Sequence, residues 1–174
     1  MNGVIKMKLC IDADGIIFCL EIKDMPKDSD WWCDTCFSVV SEPWLRYERQ
    51  HDCIFRPCEL EDISSKLNRL LNGEMTIAEQ FRCAEPDITF VMYPKCMYDL
   101  PESSGCRQRY ESSGIQTDIQ ISFWCGGLTN NYLSLTLDGM QTEHLKNYID
   151  LVCGKIQPED EIIRSMIEAG ILKD

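Results

Sequence analysis

The clearest alternation of apolar and polar positions lies between residues 115 and 125, where Ile and Phe alternate with Gln, Asp and Ser. This period of two predicts a strand with one buried face. A Gly- and Asn-rich turn at 126–131 separates it from a second alternating run at 133–138, so the two strands are expected to form an antiparallel hairpin. The following apolar positions, over 142–153, recur at helical spacing behind Thr142, the predicted N-cap.

The first third of the chain repeats the strand pattern. Apolar and polar residues alternate over 7–12 and 16–22, on either side of an Asp-Gly turn. Two further alternating runs, at 31–41 and 44–50, are joined by a short turn. Because strands joined by short turns become antiparallel neighbours, this region predicts a meander.

Helical spacing appears at 60–71, where the Leu and Ile residues fall on one face and acids occupy the first turn. Asn72-Gly73 is the predicted end of this helix. Strands are expected again at 77–83 and 87–93. The polar segment 94–114 has no periodicity and predicts a long, mobile loop.

Chain length and composition set the expected architecture. With 174 residues and a hydrophobic fraction of 44%, the chain is long enough for one core and short for two domains. We therefore expect a single α+β domain over 1–174, with an antiparallel meander sheet of about seven to eight strands packed by two main helices. Residues 156–174 are expected to form a short C-terminal helical extension.

The formal net charge of −12 limits the kinds of macromolecule that the protein can bind. A surface of this sign repels phosphates, so direct nucleic-acid binding is not expected, whereas a basic protein partner is allowed. The sequence has no apolar run of membrane-spanning length, so no membrane span is expected.

Eleven cysteines are many for this length, and the odd number leaves at least one unpaired. Residues 1–12 contain two lysines and lack the apolar core of an export signal. We therefore predict a cytoplasmic protein with reduced thiols that pack as small hydrophobic residues.

The pair Asp12 and Asp14 follows a hydrophobic strand, and the Asp-x-Asp-Gly pattern resembles the first motif of haloacid-dehalogenase-type phosphohydrolases. In that family the first Asp is the nucleophile and the second is the general acid, on Mg²⁺. The motif belongs to alternating helices and parallel strands, whereas a second strand follows within one turn here. An ordinary Asp-Gly hairpin is the favoured interpretation.

Four cysteines, Cys33, Cys36, Cys53 and Cys58, are the candidates for a zinc site. Residues three apart in a regular strand project to opposite faces, so Cys33 and Cys36 are not expected to converge. Packed thiols are favoured, and neither metal nor cofactor is expected. A nucleophilic pair of His51 and Cys53 is also disfavoured, because neighbours two apart rarely adopt an attack geometry.

Several segments together resemble the Wap-type immunity proteins, which protect a cell against the toxin domain of a wall-associated polymorphic protein. The similar segments are Trp31-Trp32 with the strand ending at Val39-Val40, the helix at 60–71, the stretch 85–90, and the closing unit from 121–124 through 133–135 to Leu145 and Ile149.

The resemblance implies a non-catalytic protein that binds and neutralises a basic toxin domain, such as a nuclease. Acids would complement the basic partner and an aromatic residue would anchor the interface. The candidate partner-binding residues are Asp28, Asp30, Trp31 and Asp34. The alternatives are a structural or regulatory interaction domain and, on Asp12 and Asp14, a metal-dependent phosphohydrolase.

Overall fold

The computed structural model describes residues 7–26, 31–94, 97–98, 110–111, 114–123 and 131–173. Its elements in chain order are β1 (Lys8–Ala13), β2 (Ile16–Asp24), β3 (Asp34–Ser41), β4 (Leu45–Cys53), α1 (Pro57–Leu71), β5 (Glu79–Arg82), β6 (Ile88–Tyr93), β7 (Met97–Tyr98), β8 (Tyr110–Glu111), β9 (Gln116–Ser122), β10 (Tyr132–Leu137), α2 (Gly139–Val152), α3 (Glu161–Glu168) and β11 (Leu172–Lys173).

The described strands form two main sheets. The five-stranded sheet has the order β11-β1-β2-β3-β4, and the four-stranded sheet has the order β10-β9-β6-β5. Their neighbouring strands pair antiparallel, which confirms the α+β class with antiparallel sheets. The prediction of one meander sheet of about seven to eight strands is wrong. α1 follows β4 and leads the chain into the second sheet, so the meander ends there.

The two main sheets and the three described helices contribute to one hydrophobic core. The alternation predicted over 31–41 is confirmed in β3, where every second residue, Thr35, Phe37 and Val39, is buried. Aromatic contacts join the two sheets: the Tyr47 ring on β4 lies 4.9 Å from the Phe123 ring beside β9. Edge-to-face geometry of this kind adds to the gain from burial.

The predicted end of α1 is confirmed at Asn72-Gly73, where Gly73 has a φ of 71°. The start of α2 needs a correction. Its N-cap is Asp138, whose carboxylate accepts a hydrogen bond from the Gln141 backbone N–H, whereas Thr142 lies inside the helix and is buried. Asp138 has the same capping chemistry as Thr142 and lies directly after β10, so the helix begins there.

The side chain of Tyr148 on α2 is buried and connects the helix to the five-stranded sheet. Its hydroxyl accepts a hydrogen bond from the Ile22 N–H at 2.8 Å and donates one to the Met7 carbonyl at 3.2 Å. The hydroxyl thereby satisfies two backbone groups beyond the last described β1–β2 pair, Lys8 with Glu21.

The two peripheral segments carry more strand structure than predicted. Within 94–114, the two-residue strands β7 and β8 pair with each other. Most of the other residues of that segment lie outside the described part, so the long loop stays a prediction. The helix predicted in 156–174 is confirmed as α3, but β11 then pairs with the edge of β1. Among the described helices, none has the length and apolarity needed to cross a membrane.

Candidate functional site

The candidate site lies at one end of the five-stranded sheet, where β2 ends, β3 begins and β4 ends. We call Asp24, Trp31, Asp34 and His51 the acidic end. Asp24 and Asp34 stand directly opposite each other in the register of β2 and β3. Trp31 precedes β3 and has 68% of its surface exposed.

A bulge in β4 places His51 at this end. The register of β3 and β4 shifts between Thr35 and Phe37, which leaves Cys36 opposite both Gln50 and His51. His51 has a φ of 53°, a left-handed conformation in which His is found more often than most residues. Its backbone N–H points to the Cys36 Sγ at 3.3 Å.

The bulge also brings the His51 ring to Asp34. Nδ1 of His51 lies 3.0 Å from Oδ2 and 3.2 Å from Oδ1 of the Asp34 carboxylate. The ligand atoms of Asp34, Cys36 and His51 all lie within 4.8 Å of one another. Carboxylate, thiol and imidazole groups thus share one small volume on the outer face of the sheet.

Charged neighbours surround the Cys36 thiol. Glu21 stands opposite Cys36 in the β2–β3 register, and the Lys23 ammonium lies 3.9 Å from the Glu21 carboxylate. The pKa of Lys23 is raised above its usual value, chiefly by a hydrogen bond with the Cys36 side chain. Lys23 therefore supplies a positive charge beside Cys36.

The predicted partner-binding residues are described only in part. Trp31 and Asp34 are described and stand three residues apart at the start of β3, whereas Asp28 and Asp30 lie outside the described residues. Trp32, next in the chain, packs against Arg56, whose guanidinium lies 5.7 Å from the ring centre. The two adjacent tryptophans thus differ, since Trp32 is half-buried and Trp31 is exposed.

The four candidate zinc cysteines do not form one group within the described residues. Cys33 is buried in the core, where burial raises the pKa of its thiol to about 12, and Cys36 lies on the outer face. Cys53 is exposed at the end of β4, and Cys58 is half-buried in α1. The sequence alone gave no signal for the Asp34, Cys36 and His51 group, because it depends on the bulge.

Asp12 and Asp14 belong to the β1–β2 turn. The Gly15 N–H donates to Oδ1 of Asp12 at 2.7 Å, and Asp14 and Gly15 have positive φ values of 53° and 85°, the geometry of a type I′ hairpin turn. The favoured hairpin interpretation is therefore confirmed. The parallel sheet that the phosphohydrolase motif needs is not found among the described strands, whose pairings are antiparallel.

The prediction of reduced thiols is wrong for Cys10 and Cys19, which form a disulfide. They stand directly opposite each other in β1 and β2, with their Cα atoms 4.2 Å apart, because the Asp14-Gly15 turn fixes the register. Free cysteines in the described part of the chain include Cys33, Cys36, Cys53, Cys83 and Cys153.

Neither a scan of protein-family models nor a search of curated proteins found a match for this chain. The resemblance to the Wap-type immunity proteins therefore stays a prediction.

Proposed function

We propose that this protein acts by binding and neutralising a basic toxin domain, in the manner of the Wap-type immunity proteins that its sequence resembles. The acidic end is the contact surface in this proposal. The supporting observation is that Trp31, three residues before Asp34, is exposed, while Asp34 pairs with Asp24 across β2 and β3.

Trp31 has the properties of an interface anchor. Burying a large apolar side chain gains about 1.5–3 kcal/mol, and the protein leaves most of Trp31 unburied. A partner that covers this ring would recover that free energy. Tryptophan is also enriched among the few residues that dominate binding energy in protein interfaces.

The opposed acids favour a basic partner. Like charges directly opposite each other in a sheet destabilise it by about 0.2–1 kcal/mol, and a Lys or Arg placed between Asp24 and Asp34 would relieve this repulsion. The net charge of −12 acts at longer range, because it steers a basic partner and speeds association.

The outer face of the five-stranded sheet extends this surface. Ile17 is exposed and Val40, opposite it, is half-buried, so this face presents apolar contact area as well as charge. Four strands of about eight residues cover roughly 500 Å², less than the ~800 Å² per partner of a standard interface. A stable complex therefore needs the acidic end in addition to the sheet face.

The test uses a toxin domain encoded beside the gene of this protein. Co-expression should restore growth, and the purified proteins should form a 1:1 complex. Trp31→Ala should weaken binding by about 30-fold, the loss expected for an anchor worth ~2 kcal/mol. Trp44→Ala is the matched control, because Trp44 is equally exposed, at 67%, in the turn at the other end of β3.

Two further measurements address the charge. Asp24→Asn should slow association, and the association rate of the unmodified pair should fall as salt is added. Equal effects of Trp31→Ala and Trp44→Ala, or an association rate independent of salt, would contradict binding through the acidic end.

A further inference from the structure

We propose that Asp34, Cys36 and His51 form a zinc-binding site on the outer face of the five-stranded sheet. The site differs from the four-cysteine arrangement considered from the sequence, since it takes only Cys36 from that set. It goes beyond the proposed toxin binding and requires no partner.

The separations of the ligand atoms fit one metal ion. Zinc bonds of about 2.0–2.1 Å to nitrogen and oxygen and about 2.3 Å to sulfur, at tetrahedral angles, place the ligand atoms about 3.4–3.6 Å apart. The three ligand atoms lie within 4.8 Å of one another, with the His51 Nδ1 already 3.0 Å from Asp34. These separations therefore need to change by no more than roughly 1.4 Å to reach the tetrahedral spacing.

The donor set selects the class of metal. One thiolate, one imidazole and one carboxylate suit zinc, whereas Mg²⁺ and Ca²⁺ prefer sites made of oxygen atoms alone. Three protein ligands also leave a fourth tetrahedral position for water, as in zinc sites with an open coordination position.

The fold holds two of the donors in place before any metal binds. Asp34 and Cys36 lie two residues apart on β3, so their side chains share one face of the sheet. The bulge places His51 opposite Cys36, and the His51 ring reaches Asp34. The hydrogen bond from the His51 N–H to the Cys36 sulfur fixes the local backbone. Hydrogen bonds from the protein to a ligating sulfur are a usual means of supporting metal thiolates.

Electrostatics and access also favour a cation here. Asp34, its register partner Asp24, and Glu21, which stands opposite Cys36, supply negative charge that attracts a cation. The His51 side chain is 65% exposed and that of Asp34 is 37% exposed, so an ion has an open approach from solvent.

The experiment titrates metal-free protein with Co²⁺ under nitrogen, without a thiol reductant that would open the Cys10–Cys19 disulfide. A 1:1 complex should show the visible absorption of tetrahedral cobalt and a thiolate-to-cobalt charge-transfer band in the near ultraviolet. Zinc should displace the cobalt and should raise the melting temperature of the protein, because binding to the folded state stabilises it.

Three variants identify the ligands. Cys36→Ser should abolish the charge-transfer band. Asp34→Asn and His51→Asn should each weaken metal binding by at least about tenfold, since even the loss of a group that only hydrogen-bonds to a metal ligand costs about 10–100-fold. Asn is chosen at position 51 because it tolerates the positive φ of the bulge. Cys58→Ser is the matched control and should leave binding unchanged.

The absence of metal binding, or a charge-transfer band that persists in Cys36→Ser, would overturn the site. Loss of the band in Cys58→Ser would do the same. Circular dichroism of each metal-free variant checks that the fold is retained. Because the titration contains no toxin domain, this proposal and the proposed toxin binding fail independently.

Discussion

Replacing Tyr148 by Phe removes one oxygen atom and nearly nothing else. In the folded protein that oxygen accepts from the Ile22 N–H and donates to the Met7 carbonyl. Ile22 is buried, so its N–H would lose its partner without access to water, at a cost of about 1–3 kcal/mol. The half-buried Met7 carbonyl can regain a hydrogen bond from water, so its loss of the Tyr148 hydroxyl should cost less. We expect a total destabilisation of about 2–3 kcal/mol.

Urea unfolding followed by circular dichroism measures this change. The midpoint should fall while the slope of free energy against urea stays constant, because the substitution changes stability without changing the surface exposed on unfolding. Tyr132→Phe is the matched control, since the Tyr132 side chain is exposed, and its effect should be within about 0.5 kcal/mol. A loss below about 0.5 kcal/mol in Tyr148→Phe would refute the bridging role of the hydroxyl.

Three further outcomes follow from the described contacts. Asp150→Ala should destabilise the protein by about 2–4 kcal/mol in urea unfolding, because the buried carboxylate accepts from the Ser64 hydroxyl and pairs with a lysine; a change below 1 kcal/mol would contradict this. Iodoacetamide at about pH 8 should modify exposed Cys53 before Cys33, whose pKa is raised to about 12 by burial, and equal labelling in peptide mass spectrometry would count against it. A hydrogen bond from Lys66 lowers the pKa of Glu79. The pair therefore stabilises the folded protein fully above about pH 4.3, the usual pKa of Glu, and this stabilisation is lost as the pH falls through the lowered pKa. Glu79→Gln should therefore reduce the fall in the free energy of unfolding below about pH 4.3, measured at low salt. An unchanged dependence on pH would show that the Glu79–Lys66 pair does not contribute to this fall.

Local patterns were sufficient for the elements that depend on neighbouring residues. The β1–β2 hairpin and α1 were predicted, because Asp14-Gly15 and Gly73 carry strong turn signals and the apolar periods are regular. The division into two sheets was not predicted, since the pairing of β6 with β9 joins residues far apart in the chain. Such pairing depends on the whole core, and strand periodicity carries no information about it.

The Cys10–Cys19 disulfide, in contrast, can be predicted from the sequence. Once a two-residue turn is assigned at Asp14-Gly15, counting outwards places Cys10 opposite Cys19, so the sequence did contain this signal. The group around Cys36 is different. It needs the extra residue in β4 that turns His51 towards Asp34, and no turn residue or change of period marks that position.

The contact between the Tyr47 and Phe123 rings has a consequence for how the molecule melts. Strands from the two main sheets meet there, and the same core encloses side chains from each helix that the structure describes. Neither sheet can therefore separate without exposing apolar surface on the other. Heating should therefore produce a single cooperative calorimetric transition, with equal calorimetric and van't Hoff enthalpies. Cutting the chain between the two sheets should yield fragments that remain unfolded when kept apart.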